Sequence, residues 1–215
     1  MRHPRILALA LAAVVGLLAL TACGSGRTIH AQQTMGFNGF NKARLVIDDP
    51  GTDLRLVPAS GPGLRVQRWV SGTAAKPGHA TWTLSGDTLR LAVDCTGLVF
   101  HCGARFQVAV PARVAVVVHT TSGDVTGSGL RTPSLRVTSS VGRVDVGFAV
   151  APRFVDIQCT DGPATIRVPV TGPRYHVVVR SGTGPARTTV PDDRLSRRLV
   201  RVISGDNTAA VLTGS

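Results

Sequence analysis

Cys95 and Cys102 have the spacing that best suits covalent or metal chemistry, because six residues separate them. In an exported protein such a pair typically forms a disulfide that closes a loop between strands. A metal site that adds His101 and Asp94 as ligands is the alternative, although zinc sites usually contain more closely spaced cysteines and a second pair. We therefore predict a disulfide and no metal site.

Asp124 and Asp145 are the candidates for acid–base chemistry. Glycan hydrolysis needs two carboxyl groups roughly 5–9 Å apart, and on neighbouring stacked strands this pair would be about 8 Å apart. Arg143 would lie beside both and favour the ionised form of each, although one must act as an acid. The sequence also has no nucleophile elbow, P-loop or His-Glu-x-x-His. We predict a charge-paired surface, no catalytic residue and no cofactor, and keep a glycan-cleaving enzyme as an alternative.

The densest positive stretch of the chain supplies the candidate anion-binding residues, Arg194, Arg197, Arg198 and Arg201. Such a surface attracts phosphate-rich polymers, anionic lipid headgroups and acidic glycans. The chain has a net charge of +12, but nearly all its basic residues are arginine, which also fits a compositional bias. Aromatic residues make up only 4%, which argues against a protein that stacks nucleic-acid bases.

The N-terminus reads as a secretory signal. A positive start, Met1–Arg5, precedes an apolar run, Ile6–Leu20, that is shorter than the ~20 residues of a membrane span. Leu20-Thr21-Ala22-Cys23 resembles the bacterial lipobox, which implies a signal peptide over 1–22 and lipid, palmitate included, on Cys23. Buried acyl chains contribute about 0.8 kcal/mol per CH₂ to anchoring. We expect a lipoprotein on the cell membrane that faces outside the cytoplasm.

Residues 23–43 show no clean periodicity and are predicted to be the lipidated N-terminus and a flexible tether. About 20 such residues have a root-mean-square reach of roughly 25 Å. The tether would lift residues 44–215, which we take as one domain, away from the lipid surface.

Glycines recur every 19 to 22 residues in the second half, at Gly123, Gly142, Gly162, Gly184 and Gly205. Apolar residues alternate with polar ones on both sides of each glycine, as in strands with one buried face. The chain has no Glu and is rich in Val, Thr, Gly and Pro, which disfavours an all-helical fold. Each repeat therefore predicts strand, glycine turn and strand.

A unit of about 20 residues with two short strands cannot bury its apolar face alone, whereas stacked units can. We predict an all-β domain built as a β-solenoid, each strand pairing with the next coil, and keep a β-sandwich as the alternative. Three residues before the first four glycines lie Thr120, Ser139, Cys159 and Ser181. These small residues should form an inward column, so Cys159 should be buried.

Two motifs point to a family. Thr121–Val125 reads T-S-G-D-V, and Val108–Arg113, after the cysteine pair, reads V-A-V-P-A-R. They resemble the β-strand-repeat, “putative adhesin” domain of bacterial envelope lipoproteins, a domain of unknown function, over about residues 44–211. Arg143, Pro163 and Pro185 stand where the pattern has Asp, so a role for a repeated Gly-Asp is not supported.

The resemblance and the composition together predict a non-enzymatic envelope module. We expect it to be adhesive or structural, or to bind an anionic surface polymer or a protein partner. An envelope-stress sensor is the alternative in a different class, for which a tether would provide reach. Nucleic acid is not an expected partner.

Overall fold

The computed structural model describes residues 30–96, 101–172 and 174–214. The predicted signal peptide and Cys23 lie outside the described residues. The described chain forms seventeen strands and one 3₁₀ turn, Thr73–Ala75. The strands are β1 His30–Phe37, β2 Arg44–Asp49, β3 Asp53–Pro58, β4 Leu64–Gly72, β5 Ala80–Ser85, β6 Thr88–Val93, β7 Cys102–Val110, β8 Ala115–Thr120, β9 Val125–Leu130, β10 Ser134–Val141, β11 Val144–Phe148, β12 Phe154–Asp161, β13 Ala164–Val168, β14 His176–Ser181, β15 Ala186–Thr188, β16 Leu199–Ser204 and β17 Ala209–Thr213.

The strands form two mixed sheets that share one hydrophobic core. Sheet A has nine strands in the order β1-β4-β7-β3-β9-β11-β13-β17-β15. Sheet B has eight, in the order β14-β16-β12-β10-β8-β2-β6-β5. The all-β prediction is confirmed, and two open sheets around one core are consistent with the β-sandwich alternative.

Period-two alternation explains why these segments are strands. In β10, Leu135, Val137 and Ser139 are buried, while the residues between them are exposed. Each fully buried Val or Leu side chain contributes about 1.5–3 kcal/mol relative to an exposed one. Burial of these side chains therefore determines which face of each strand points toward the core.

Pairing follows chain order only up to the third repeat. Strands β8, β10 and β12 are parallel neighbours, with Leu135 opposite both Val116 and Val155. Strand β12 then pairs with β16, and β14 lies beyond β16 at the edge. In sheet A, β17 likewise lies between β13 and β15. The expectation that every coil pairs with the next coil is thus wrong for the last two repeats.

The composition of β15 and β17 accounts for their order in sheet A. Strand β17 contributes the buried residues Ala209 and Val211, whereas the corresponding positions of β15 are Ala186 and Thr188, which are exposed. The more apolar strand takes the interior position, and the short polar strand takes the edge, where it exposes little apolar surface.

The last repeat also has a different alignment from the one that Gly205 suggested. Ser204 lies opposite both Cys159 and Ser181, so Asn207 occupies the place that a glycine holds in the earlier repeats. The position after it is Thr208 rather than Asp206. The same residues of this strand face inward in either alignment, because a shift of two residues keeps every side chain on the same face.

The glycine turns stack so closely that a side chain would not fit. Gly142 has φ +119°, and a Cβ there would lie 2.3 Å from the carbonyl oxygen of Gly123. Gly162 has φ +139° and would meet the carbonyl oxygen of Gly142 at 2.0 Å. Glycine is therefore required both for the backbone conformation and for the approach of neighbouring turns.

Beneath the turns lies the predicted column of small residues. Ser139 is opposite Thr120 and Cys159, and Cys159 is opposite Ser204. Thr120 donates to the carbonyl of Ser122 at 2.7 Å, and Ser204 donates to that of Gly162 at 2.9 Å. Cys159 is 3% exposed, as expected, and burial raises the pKa of its thiol.

Asp49 ends this column and was missed from the sequence. It lies opposite Thr120, is 1% exposed and accepts hydrogen bonds from the backbone N–H and the hydroxyl of Thr52. Burial raises the pKa of the Asp49 carboxyl despite these hydrogen bonds. The residue at this end of the column is thus an acid that accepts the hydrogen bonds of the first turn.

Strand β1 lies within the segment 23–43 for which a tether is predicted. Residues His30–Phe37 pair antiparallel with β4 at the edge of sheet A. Most of their side chains are exposed, which explains why the strand shows little periodicity. These eight residues therefore belong to the sheet rather than to a free linker.

The predicted disulfide between Cys95 and Cys102 is present. It joins the segment after β6 to the start of β7, and it uses both thiols that the metal-site alternative needed. Among the described residues, no three His, Cys, Asp or Glu side chains are placed to hold a metal ion. None of the described residues forms a helix long and apolar enough to cross a membrane.

Candidate anion-binding groove

An open groove of about 510 Å³ lies on the outer face of sheet A. Its charged lining consists of four arginines and three aspartates from neighbouring strands and turns. The arginines are Arg55, Arg105, Arg143 and Arg167, and the aspartates are Asp53, Asp124 and Asp145. The groove is therefore polar and carries both positive and negative charges.

Strand pairing brings these residues together from distant parts of the chain. Arg105 on β7 lies opposite Asp53 on β3, and Arg55 lies two residues further along β3. Leu54 and Leu56, which alternate with them, are buried. The charged side chains must therefore point outward, because successive residues of a strand face opposite sides.

A β-bulge in β9 shapes the floor of the groove. The register between β9 and β11 shifts between Val146 and Phe148, so that β9 carries an extra residue there. The floor is lined by Thr126, Gly127 and Ser128, none of which has a large side chain. Bulges of this kind often bend a strand next to a binding site. The result is a depression in an otherwise flat face.

The three carboxylates are already engaged as acceptors. Asp53 accepts a hydrogen bond from the backbone N–H of Asp124 at 3.2 Å, and Asp124 accepts one from that of Arg143 at 2.9 Å. Asp145 forms an ion pair with Arg167. Two of the aspartates thus tie neighbouring turns together, and the third neutralises one of the four arginines.

Among the residues that the structure describes, the other three guanidinium groups of the groove have no ion-pair partner. Arg55, Arg105 and Arg143 are exposed, and within the described residues none of them forms an ion pair or donates a side-chain hydrogen bond. With Asp145 paired to Arg167, these three guanidinium groups outnumber the two other carboxylates, Asp53 and Asp124, so the groove has a net positive charge that attracts anions. The groove can therefore accept anionic groups.

The glycosidase alternative required Asp124 and Asp145 to share an open groove, and they do. The expected role of Arg143 is different, however. Its backbone N–H binds Asp124, while Arg167 is the ion-pair partner of Asp145. Each carboxylate is therefore already an acceptor for a group of the protein. Among the described residues, Asp145 is charge-paired, whereas Asp124 accepts a hydrogen bond from a backbone N–H.

The predicted arginine cluster near the C-terminus is divided by the structure. Arg201 donates to both carboxylate oxygens of Asp156, at 2.8 and 2.6 Å. Arg198 donates to the backbone carbonyls of Ala151 and Pro152, at 3.1 and 2.9 Å. Asp156 neutralises Arg201, whereas Arg198 keeps its charge but is held against backbone carbonyls of the protein itself.

Arg194 and Arg197 are more exposed. Arg194 lies 3.6 Å from one carboxylate oxygen of Asp192, and the other oxygen accepts hydrogen bonds from the backbone N–H of Val177 and from His176. The four arginines that are adjacent in the sequence therefore have three different environments.

Asp156 explains why Arg201 is held so firmly. Its side chain is 1% exposed although it lies on the outer face of sheet B, because Arg201 and Arg136 cover it. Burial raises the pKa of the Asp156 carboxyl, but the hydrogen bonds and charge of Arg201 outweigh this effect, and the net pKa lies below its usual value.

Arg55 and Arg105 were missed as site residues in the sequence. The alternation of β3 places Arg55 on the outer face, and that signal was available. No sequence signal indicated that β3 lies between β7 and β9, and this order is what forms the groove.

Comparisons with known proteins find solved bacterial structures of similar fold. No protein-family model matches the chain, and no curated protein matches it significantly. A “putative cell adhesion protein” from Clostridium sporogenes has a similar structure, with a TM-score of 0.63 and 13% identity over 87% of this chain and 100% of that one. This likeness concerns the fold.

Weaker structural matches have related descriptions. A “putative adhesin” from Bacteroides fragilis has a TM-score of 0.44 and 12% identity over 86% of this chain and 97% of that one. A “putative lipid binding protein” from Parabacteroides distasonis has a TM-score of 0.28 and 7% identity, with the same shares of the two chains covered.

Proposed function

We propose that this protein is a non-enzymatic, lipid-anchored module of the bacterial envelope that binds an anionic surface polymer in the groove of sheet A. The observation that carries this proposal is the convergence of three exposed guanidinium groups, Arg55, Arg105 and Arg143, without ion-pair partners in the described residues. The finer architecture belongs to the same proposal: the repeats from β8 to β13 act as stacked, solenoid-like coils that present a continuous outer face.

The proposed location depends on the sequence of the N-terminus. A signal peptide over 1–22 and lipid on Cys23 would hold the protein at the cell membrane, outside the cytoplasm. The segment between Cys23 and β1 would then be a short link, since β1 already belongs to sheet A. The groove would face envelope polymers near the membrane.

The energies favour weak but repeated contacts. An exposed ion pair contributes about 0.2–1 kcal/mol, so three arginines give low affinity for a single short ligand. A long polymer can engage many anchored copies, and the linked contacts raise the overall avidity by factors of about 10²–10⁴. Reversible attachment of this strength suits an adhesive or structural role. Salt should weaken it, because exposed charges are screened.

The test is binding of the full chain, purified in detergent micelles, to isolated bacterial envelopes across a salt series. We compare wild type with the triple variant Arg55→Gln, Arg105→Gln, Arg143→Gln. The matched control replaces Arg113, Arg131 and Arg180 with Gln, which removes the same charge from exposed arginines outside the groove. Thermal melts establish that all three proteins are folded.

We expect saturable, salt-sensitive binding that falls at least tenfold in the groove variant and less than twofold in the control. Equal losses in both variants would mean that net charge alone drives binding, and the proposal would fail. Released sugars are quantified in parallel for wild type and for the double variant Asp124→Asn, Asp145→Asn. Sugar release that the double variant abolishes would identify an enzyme instead.

A further inference from the structure

Trp69 lies on the outer face of sheet A, next to the groove. It is on β4, directly opposite Arg105 on β7, and Arg105 lies opposite Asp53 on β3. Leu64, Val66 and Val70 on the inner face of β4 are buried, whereas Trp69 on the outer face is partly exposed. An aromatic ring thus extends the row of charged groups at one end of the groove.

A second row of polar groups runs parallel to the first. Gln107 on β7 lies between Gln67 on β4 and Arg55 on β3. Its amide donates to Gln67 at 2.9 Å, and Gln67 donates to Thr34 on β1 at 3.2 Å. Each amide has further donor and acceptor capacity beyond these hydrogen bonds. The face beside Trp69 therefore offers neutral hydrogen-bonding groups.

We infer that Trp69 and the groove form one extended site for an acidic glycan, a polymer of sugar rings that carry carboxylates. This inference rests on the proposed function and specifies its ligand. One face of a sugar ring packs on the indole, as apolar surface packs on aromatic side chains elsewhere. Arg105 and Arg55 bind ring carboxylates through their planar guanidinium forks. Gln67 and Gln107 bind hydroxyl groups.

The aspartates of the groove favour a glycan over a chain of phosphates. Asp53 and Asp124 each have one carboxylate oxygen without a hydrogen bond in the described residues. These oxygens can accept hydrogen bonds from hydroxyl groups, which a glycan has and a polyphosphate lacks. A dense chain of phosphates would instead meet like charges, which destabilise binding. Nor does a polyphosphate have an apolar face for Trp69.

The site is long enough for an oligosaccharide. Trp69 on β4 and Asp145 on β11 are separated by four strand steps, through β7, β3 and β9. At about 4.8 Å a step this is about 19 Å, which accommodates several sugar rings. The ligand would then run across the strands, along the rows of side chains.

The experiment titrates the full chain in detergent micelles with oligogalacturonate, inorganic polyphosphate and a neutral glucan oligosaccharide. Calorimetry measures affinity. Trp82 lies 4.5 Å from the guanidinium of Arg68 and packs on Phe106, away from the groove. A Trp82→Phe background therefore leaves Trp69 as the fluorescent reporter. The variants are Trp69→Ala, Trp69→Tyr and the triple Arg→Gln groove variant.

We expect oligogalacturonate to bind, to change the fluorescence of Trp69 and to lose about tenfold in affinity in Trp69→Ala. Trp69→Tyr, which keeps an aromatic ring, should stay within about threefold of wild type. Polyphosphate affinity should be the same in wild type and Trp69→Ala. If Trp69→Ala does not fold, the fluorescence of Trp69 in the Trp82→Phe protein still shows whether the ligand contacts the indole.

Two results separate this inference from the proposed function. The glycan platform is refuted if the triple arginine variant loses oligogalacturonate, Trp69→Ala binds it like wild type, and the ligand leaves the fluorescence of Trp69 unchanged in the Trp82→Phe protein. The groove would then bind anions only. If neither variant changes the affinity for any probe, the groove is not the site and both proposals fail. Equal losses for polyphosphate and oligogalacturonate in Trp69→Ala would also refute the platform.

Discussion

Two groups of arginines in this protein have opposite environments. Arg194, Arg197, Arg198 and Arg201 are close in sequence, yet Arg198 and Arg201 are held by the protein's own acceptors. The groove group, Arg55, Arg105 and Arg143, is spread over 88 residues, yet its members line one open surface. Charge density along the chain therefore did not predict where free charge lies in space.

The repeated β architecture explains the difference. Consecutive residues of one strand point to opposite faces, so arginines that are close in the sequence are dispersed in space. Equivalent positions of stacked strands lie about 4.8 Å apart and accumulate on one face. In such a fold, a binding surface is built across the strands rather than along them.

The largest effect should follow from removing an arginine of the sequence-adjacent group. Arg201→Ala leaves the carboxylate of Asp156 buried without its two charged hydrogen bonds, so we expect the free energy of unfolding to fall by about 3 kcal/mol. Urea denaturation measures it. Arg55→Ala, the matched change in the groove, should alter stability by less than about 0.5 kcal/mol. Similar losses in the two variants would remove the distinction between the groups.

An intermediate effect concerns pH. The folded-state pKa of Asp156 is depressed, so its ionised form stabilises the fold above the unfolded carboxyl pKa of about 3.9 and loses that contribution as pH falls through the folded pKa. We expect the stability advantage of wild type over Asp156→Asn to shrink as pH falls below about 4. Urea melts at a series of pH values measure this difference.

The pH experiment compares two proteins because Asp49 also makes the stability depend on pH. Its pKa is raised by burial, so its contribution to stability changes in the opposite direction as pH falls. Subtracting Asp156→Asn from wild type cancels Asp49, which is present in both. An advantage that stays constant from pH 7 to the lowest pH at which both proteins fold would contradict the role assigned to the Arg201–Asp156 pair.

The smallest effect should come from the exposed members of the sequence-adjacent group. Replacing Arg194 and Arg197 with Gln should change stability by less than about 0.5 kcal/mol, because exposed ion pairs contribute little. Envelope binding should also stay within twofold of wild type. A loss of binding as large as that of the groove variant would make the C-terminal cluster the anion site after all.

Much of the local structure could be predicted because it depends on local physics. The alternation around Leu135 and Val137 determines a strand and its buried face, and the glycine at 142 marks a turn that no other residue can adopt. Cys159 was placed in the interior by the same register. The spacing of Cys95 and Cys102 predicted the disulfide between them. Each of these features needs only neighbouring residues and the polarity of the environment.

Other features arose only in the tertiary structure. The place of β16 between β12 and β14 depends on which strands bury more apolar surface, and the involvement of β1 in sheet A depends on pairing that its polar sequence does not show. The groove needs β7, β3, β9 and β11 side by side. Alternation determines the face on which a residue lies, but the neighbours across a sheet are chosen by competition among all strands for the interior, and that competition is a property of the whole chain.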